Sequence, residues 1–213
     1  MKNFIYTFFF FSALVSFSTY SNGRNTFNYY GIGIQNIGYD DIEFSPNIEK
    51  TELLPDLYSK NTSGTGVRAF MGHHFNQYFA VEAGITSHGK ANFLVYREAI
   101  DSEGTINKET IHRGDFSTIS GDIRLIGTYA IGKKMFLRAH VGSLFWNNEF
   151  DYLSGNVGEL VVKNESDTGA SLLTGIGLGY SFTKNIAVSF EFENTKIANI
   201  KTQTISLSMM LRF

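Results

Sequence analysis

The chain has no cysteine, so neither a disulfide framework nor a thiolate metal site can hold it together. Proline is scarce, with 2 residues against 21 glycines, and aromatics reach 15%, a balance that favours strands joined by tight turns over helices. Charge of one sign is also lacking: the formal net charge is −2, which leaves no electrostatic footprint for nucleic acid. After Phe17 no apolar run approaches the roughly 20 residues that a spanning helix needs. The five histidines show no metal-ligand spacing, since His73 and His74 are adjacent and would face opposite sides of a strand. Gly175, Gly177 and Gly179 alternate without opening a helix, which removes the phosphate-loop context. No metal and no cofactor is expected.

The start of the chain is organised for export. Met1-Lys2-Asn3 precedes a Phe-dense apolar run from Phe4 to Phe17, followed by Ser18, Thr19 and Ser21. A charged start, a short apolar core and a small-residue exit are the layout of a secretory signal peptide, expected here over residues 1–21. The remainder, residues 22–213, is long enough for one domain and short for two.

From Phe27 onward, eight segments alternate apolar with polar or small residues, at about 27–39, 64–74, 78–94, 116–130, 135–149, 169–182, 186–195 and 205–213. Val67, Ala69 and Met71 oppose Arg68, Phe70 and Gly72, and Ile123, Leu125 and Tyr129 oppose Asp122, Arg124 and Thr128. Connections alternate in length. The long ones are 40–63, 97–115 and 150–168, the short ones 75–77, 131–134 and 183–185, and only the last outer connection, 196–199, is brief. Tight turns on one rim and longer loops on the other characterise transmembrane barrels, in which lipid-facing and lumen-facing residues cancel in the average hydropathy. The expected fold is all-β, an eight-stranded antiparallel up-and-down transmembrane β-barrel with its short turns in the periplasm.

Aromatics should then mark the two membrane interfaces. Tyr78, Phe79, Tyr129, Phe136, Tyr180, Phe182 and Phe213 lie near the short turns. Tyr39, Phe93, Tyr96, Phe116, Phe145 and Trp146 lie near the long loops. At the end of the chain Ile205, Leu207, Met209, Leu211 and Phe213 alternate with Ser206, Ser208, Met210 and Arg212. This pattern resembles the C-terminal strand of bacterial outer-membrane barrels. The resemblance implies that Leu207, Met209, Leu211 and Phe213 form an assembly signal.

Gly66-Val67-Arg68-Ala69-Phe70-Met71-Gly72, with Phe75-Asn76-Gln77-Tyr78-Phe79-Ala80-Val81-Glu82-Ala83-Gly84 after it, is similar to the second hairpin of OmpA-type transmembrane domains. In that family the turn has the form Phe-Asn-Pro-Tyr, and Gln77 stands where proline is usual. The similarity continues through Leu125-Ile126-Gly127-Thr128-Tyr129 and Ala139-His140-Val141-Gly142 to the C-terminus. Larger members continue into a peptidoglycan-binding domain. This chain stops at the barrel and is expected not to tether the cell wall by that route.

Eight inward charges are the candidate site: Arg68, Arg124, Arg138 and His140 with Glu82, Asp122, Glu191 and Glu193. Unpaired charge in a low-dielectric interior is costly, so opposite signs should pair into a network filling the narrow lumen. The resemblance adds a sharper alternative, a gate whose carboxylates exchange arginine partners and open a small ion path. An eight-stranded lumen excludes a wide porin.

A lipid-modifying barrel enzyme is the remaining alternative, but no Ser-His-acid set assembles. His140 has Gly142 where a serine would be wanted, and His88 is followed by Gly89 and Lys90. The protein is therefore expected not to be an enzyme. The first long loop is acidic (Asp40, Asp41, Glu43, Glu49, Glu52, Asp56) and the second mixes Glu98, Asp101, Glu103, Lys108, Glu109 and Arg113. Host or phage ligands would be met there. The other expected partners are outer-membrane lipid and lipopolysaccharide, and the barrel-assembly machinery through the C-terminal strand. A monomer in the outer membrane of a Gram-negative bacterium is the expected state.

Overall fold

A strand that is apolar on one face and charged on the other needs two solvents, and closing the sheet on itself supplies both. The computed structural model describes residues 26–39, 58–61, 63–100, 106–154 and 161–213. The expected signal peptide, most of the first long loop, and the centres of the second and third lie outside the described residues. The elements are β1 (Phe27–Tyr39), β2 (Tyr58–Asn61), β3 (Ser63–His74), β4 (Phe79–Ile100), β5 (Ile106–Ile131), β6 (Met135–Ser154), β7 (Val161–Ser181), β8 (Ile186–Ile197) and β9 (Ile200–Arg212).

All pairings are antiparallel. Neighbours run β1–β3–β4–β5–β6–β7–β8–β9, and β9 pairs back onto β1 with Ile32 opposite Met209 and Gly33 opposite Ser208. The short β2 pairs with the far end of β4 (Tyr58 opposite Val95) and so extends the row that β3 occupies. The result is eight staves in a closed barrel, which leaves no free edge at the level where β9 pairs back onto β1.

The outside of this barrel is greasy and the inside polar. Leu125 is 61% exposed and Leu172 66%, while Arg124 and Glu82 are 2% and 1% exposed. Period-two alternation carries this inversion through the staves, apart from the hairpin extensions and a bulge in β4. The lumen is layered. Tyr29, Phe70, Ala80, Ile126 and Met210 fill it near the short turns, and Ile37, Tyr39, Phe116, Leu144, Leu173 and Ile197 fill it toward the long loops. Charged and hydroxyl-bearing side chains lie between.

The turns are built by short polar residues. Asn76 Oδ1 accepts from the Tyr78 and Phe79 amides at 2.7 and 2.9 Å, and Thr183 Oγ1 accepts from the Asn185 and Ile186 amides at 3.2 and 3.0 Å. The brief outer connection is a two-residue turn, with Ala198 and Asn199 both at positive φ (49° and 64°).

Three features differ from the sequence expectations. The strands run beyond the expected bounds, since β4 reaches Ile100, β5 begins at Ile106 and β6 reaches Ser154. About 9–11 residues suffice to cross a bilayer, so these 20- to 26-residue strands continue as hairpins beyond it. Outside the bilayer both faces meet water and the alternation that marks a strand is no longer required. The pairing of β4 with β5 shifts between Ser87 and Lys90, so that His88 and then Ala91 face inward. Gly89 makes the bulge at φ 71°, where a Cβ would strike the Thr65 carbonyl. Finally, Tyr39 and Phe116 of the expected outer belt are buried in the lumen with rings 5.1 Å apart, and Trp146 packs against the same cluster. Phe136 likewise joins the inner cluster near the short turns. Proximity to a rim sets height, but the parity of the residue decides which face it takes. Tyr78, Phe79, Phe145 and Phe213 do face outward.

A closed sheet with every stave paired resists detergent at room temperature. We expect the unheated protein to migrate as a distinct band on a denaturing gel and to shift after boiling. A single heat-independent band from membrane preparations would contradict the closed barrel.

Candidate functional site

The eight inward charges meet at one level of the lumen. They come from β3 (Arg68), β4 (Glu82), β5 (Asp122, Arg124), β6 (Arg138, His140) and β8 (Glu191, Glu193). Arg68 grips Asp122 with both arms, Nε to Oδ2 at 3.1 Å and Nη2 to Oδ1 at 2.7 Å. Its third nitrogen, Nη1, lies 2.8 Å from Glu82 Oε1. Glu82 Oε2 accepts from Arg138 Nη2 at 2.8 Å and from the Tyr29 hydroxyl at 2.9 Å. Arg138 Nε is 3.3 Å from Glu191 Oε1, and Glu191 Oε2 is 3.7 Å from His140 Nδ1. His140 Nε2 is 3.3 Å from Glu193 Oε1, which also takes Arg124 Nη1. Arg124 Nε returns to Asp122 Oδ1 at 2.6 Å.

The circuit is closed: Arg124, Asp122, Arg68, Glu82, Arg138, Glu191, His140, Glu193 and back to Arg124. Bases and acids alternate around it. Every member is buried, where an ion without a partner costs several kcal/mol. Three guanidiniums and one imidazole face four carboxylates, with His140 set between two glutamates.

Bare backbone opposite the large side chains gives the ring its space. A Cβ at Gly84 would lie 2.9 Å from the Arg68 guanidinium carbon, and one at Gly175 would collide with the His140 ring. Gly175 and Gly177 of β7 separate β6 from β8. With no side chain there, His140 reaches Glu191 and Glu193 across the intervening strand.

Two contacts were not legible in the sequence. Tyr29 anchors Glu82 from β1, and its inward parity is the signal that would have found it. His88 Nε2 lies 2.7 Å from Ser120 Oγ, a pair from adjacent strands 32 residues apart. Among the described residues no carboxylate bonds His88 Nδ1. Ser120 is closed inside the lumen, so the pair lacks both an acid and an approach for substrate. The donor atoms of His140, Glu191 and Glu193 all lie within 4.8 Å of one another. Both carboxylates already serve arginines, so a cation bound there would displace Arg124 and Arg138.

Leu207, Met209 and Leu211 line the outward face of β9, and the exposed Phe213 follows directly after it. The Phe213 ring stacks on Tyr30 at 4.8 Å, and its amide donates to the Asn28 carbonyl at 3.1 Å.

A closed antiparallel barrel, apolar outside and ion-paired within, is an integral β-barrel of the outer membrane of a Gram-negative bacterium. Residues 8–213 match the family described as the outer membrane protein beta-barrel domain, and the chain belongs to that family. It is 24% identical over 183 residues to outer membrane protein A of Serratia marcescens, covering 85% of this chain and 46% of that protein. The chain thus spans about half the length of that relative. Its fold is similar to that of the Yersinia pestis attachment invasion locus protein, Ail, at TM-score 0.53 and 17% identity, over 89% of this chain and 100% of that one. It is also similar to Pseudomonas aeruginosa OprG, at TM-score 0.54 and 11% identity, over 90% of this chain and 98% of that one.

Removing one member of a buried pair leaves the other charge uncompensated, at about 3–5 kcal/mol. Arg138→Met and Glu82→Gln should each lower unfolding stability in lipid vesicles by about that amount. The double variant should lose clearly less than the sum. Additive losses on urea titration would show that the two are not coupled.

Proposed function

We propose that this barrel is a sealed structural and surface protein of the envelope, with recognition carried by its outer hairpins. The supporting observation is the lumen itself. A closed ring of ion pairs lies between two apolar clusters, so side chains occupy the lumen at each of these three levels. The long β4–β5 and β6–β7 hairpins present backbone well beyond the bilayer, where partner binding is sterically open. Ail is named for attachment and invasion, and one structure holds it with the heparin analogue sucrose octasulfate. Adhesion is thus something a small barrel of this shape can host, and we extend it to this chain by analogy of fold.

The assignment carries several finer parts. We place the chain with OmpA-type barrels on its Phe75-Asn76-Gln77-Tyr78 turn. Residues 1–21 would be removed at export, and the barrel would act as a non-enzymatic monomer among outer-membrane lipid and lipopolysaccharide. Entry into the membrane would proceed through the barrel-assembly machinery, which would engage the apolar outer row ending in Phe213. Phe213→Ala should then reduce the yield of the heat-shiftable band.

Replacing the 101–105 and 155–160 tips with short Gly-Ser turns should abolish whole-cell binding to host matrix or phage while that band persists. Undiminished binding by the correctly folded variant would place recognition elsewhere.

A second reading, a narrow gated conduit, rests on Glu82, whose carboxylate bridges two guanidiniums and could release one for another acceptor. Under it, Glu82→Ala or Arg138→Ala should raise conductance in planar bilayers, and no change in either would remove the gate.

A further inference from the structure

Beneath the ring, the end of the barrel that bears the short turns opens into a cavity of about 320 Å³. Its floor is Arg138, already paired with Glu82 and Glu191. Its rim carries Lys133, Lys134, Lys184 and Arg212. No Asp or Glu lines it, and none occurs anywhere in 26–30, 71–79, 127–137, 179–188 or 209–213. The terminal Phe213 is not among its lining residues.

The rim cations are held without being neutralised. Arg212 lies over the Phe27 ring with its guanidinium carbon 3.5 Å from the centroid, whereas Lys134 Nζ sits 5.8 Å from the centroid of the outward-facing Tyr180 ring and so leans to the barrel's outer side. Among the described residues neither they nor Lys133 and Lys184 reach a carboxylate. The contrast with the ring above is sharp, since there every guanidinium has at least one acid partner. Gathering three unopposed cations, Lys133, Lys184 and Arg212, around one concave mouth raises a local positive potential that concentrates anions. Ammonium groups on flexible stems beside a planar guanidinium suit a multiply charged tetrahedral group better than a single planar carboxylate. The volume admits a phosphorylated small molecule or a lipid headgroup and is too small for a folded partner.

We propose that this vestibule is a binding site for a polyvalent phosphate group presented from the periplasmic side. The site is separate from the outer hairpins and lies beneath the ring, with which it shares Arg138. It depends only on the orientation that puts short turns in the periplasm. The phosphate comes either from a soluble periplasmic molecule or from an inner-leaflet headgroup that carries more than one phosphate.

The test uses the full barrel in phosphatidylcholine nanodiscs, titrated with inorganic pyrophosphate at physiological salt and followed by amide resonances. Saturable shifts confined to Gly132–Lys134, Thr183–Asn185 and Arg212 are expected. A triple variant, Lys133→Gln, Lys134→Gln and Lys184→Gln, changes exposed turn residues and should retain the heat-shiftable band. It should bind at least about tenfold more weakly. Absence of saturation, shifts spread over all surface lysines, or equal binding by the folded triple variant would each overturn the proposal. Repeating the titration in nanodiscs containing cardiolipin, whose headgroup carries two phosphates, identifies the source. A response lost there means headgroups already occupy the site, and a response kept there means a soluble phosphate is the ligand.

Discussion

Four carboxylates enclosed in a narrow lumen must each find a positive partner, and that requirement organises this molecule. Glu82, Asp122, Glu191 and Glu193 meet it through Arg68, Arg124 and Arg138, with His140 completing the circuit. Several of the pairs join strands that are not neighbours in the sheet, β3 to β5 and β6 to β8 among them. A one-residue slip in any of these strands would turn its charges out into lipid. The ring therefore fixes register, and with it the alternation that makes the whole exterior apolar.

Layering does the rest. Apolar clusters lie on both sides of the charged level and lower the local dielectric, which strengthens the pairs and raises the cost of breaking any of them. Closure through β1 and β9 satisfies the backbone without an edge, so no disulfide is required in an exported chain. Beyond the bilayer the same strands continue as hairpins, where the demand for alternation lapses and sequence is free to serve recognition.

The barrel was legible because its period is two: once Val67, Ala69 and Met71 are set outward, Arg68, Phe70 and Gly72 must point in. Parity likewise singles out all eight charges of the ring. Their partners were not legible. Arg68 meets Asp122 across the 54 residues that separate them, and nothing in the sequence distinguishes that acid from Glu191. The bulge at Gly89 resets parity along β4, an event that a single glycine does not announce. Tyr39 and Phe116 mislead for a related reason, because height near a rim predicts a belt while parity places their rings inside. The hairpin extensions carry no alternation at all, so 106–115 looked like loop and is strand.

The central claim is that the guanidiniums of Arg68, Arg124 and Arg138 are locked in a dry, closed ring. The most direct measurement is solvent exchange of their Nε protons, followed by NMR on the purified barrel moved into deuterated buffer. Protons on all three that outlast that of the rim residue Arg212 by orders of magnitude would establish the sealed ring. Exchange as fast as that of Arg212 would mean that water passes through the lumen and that the ring does not close it.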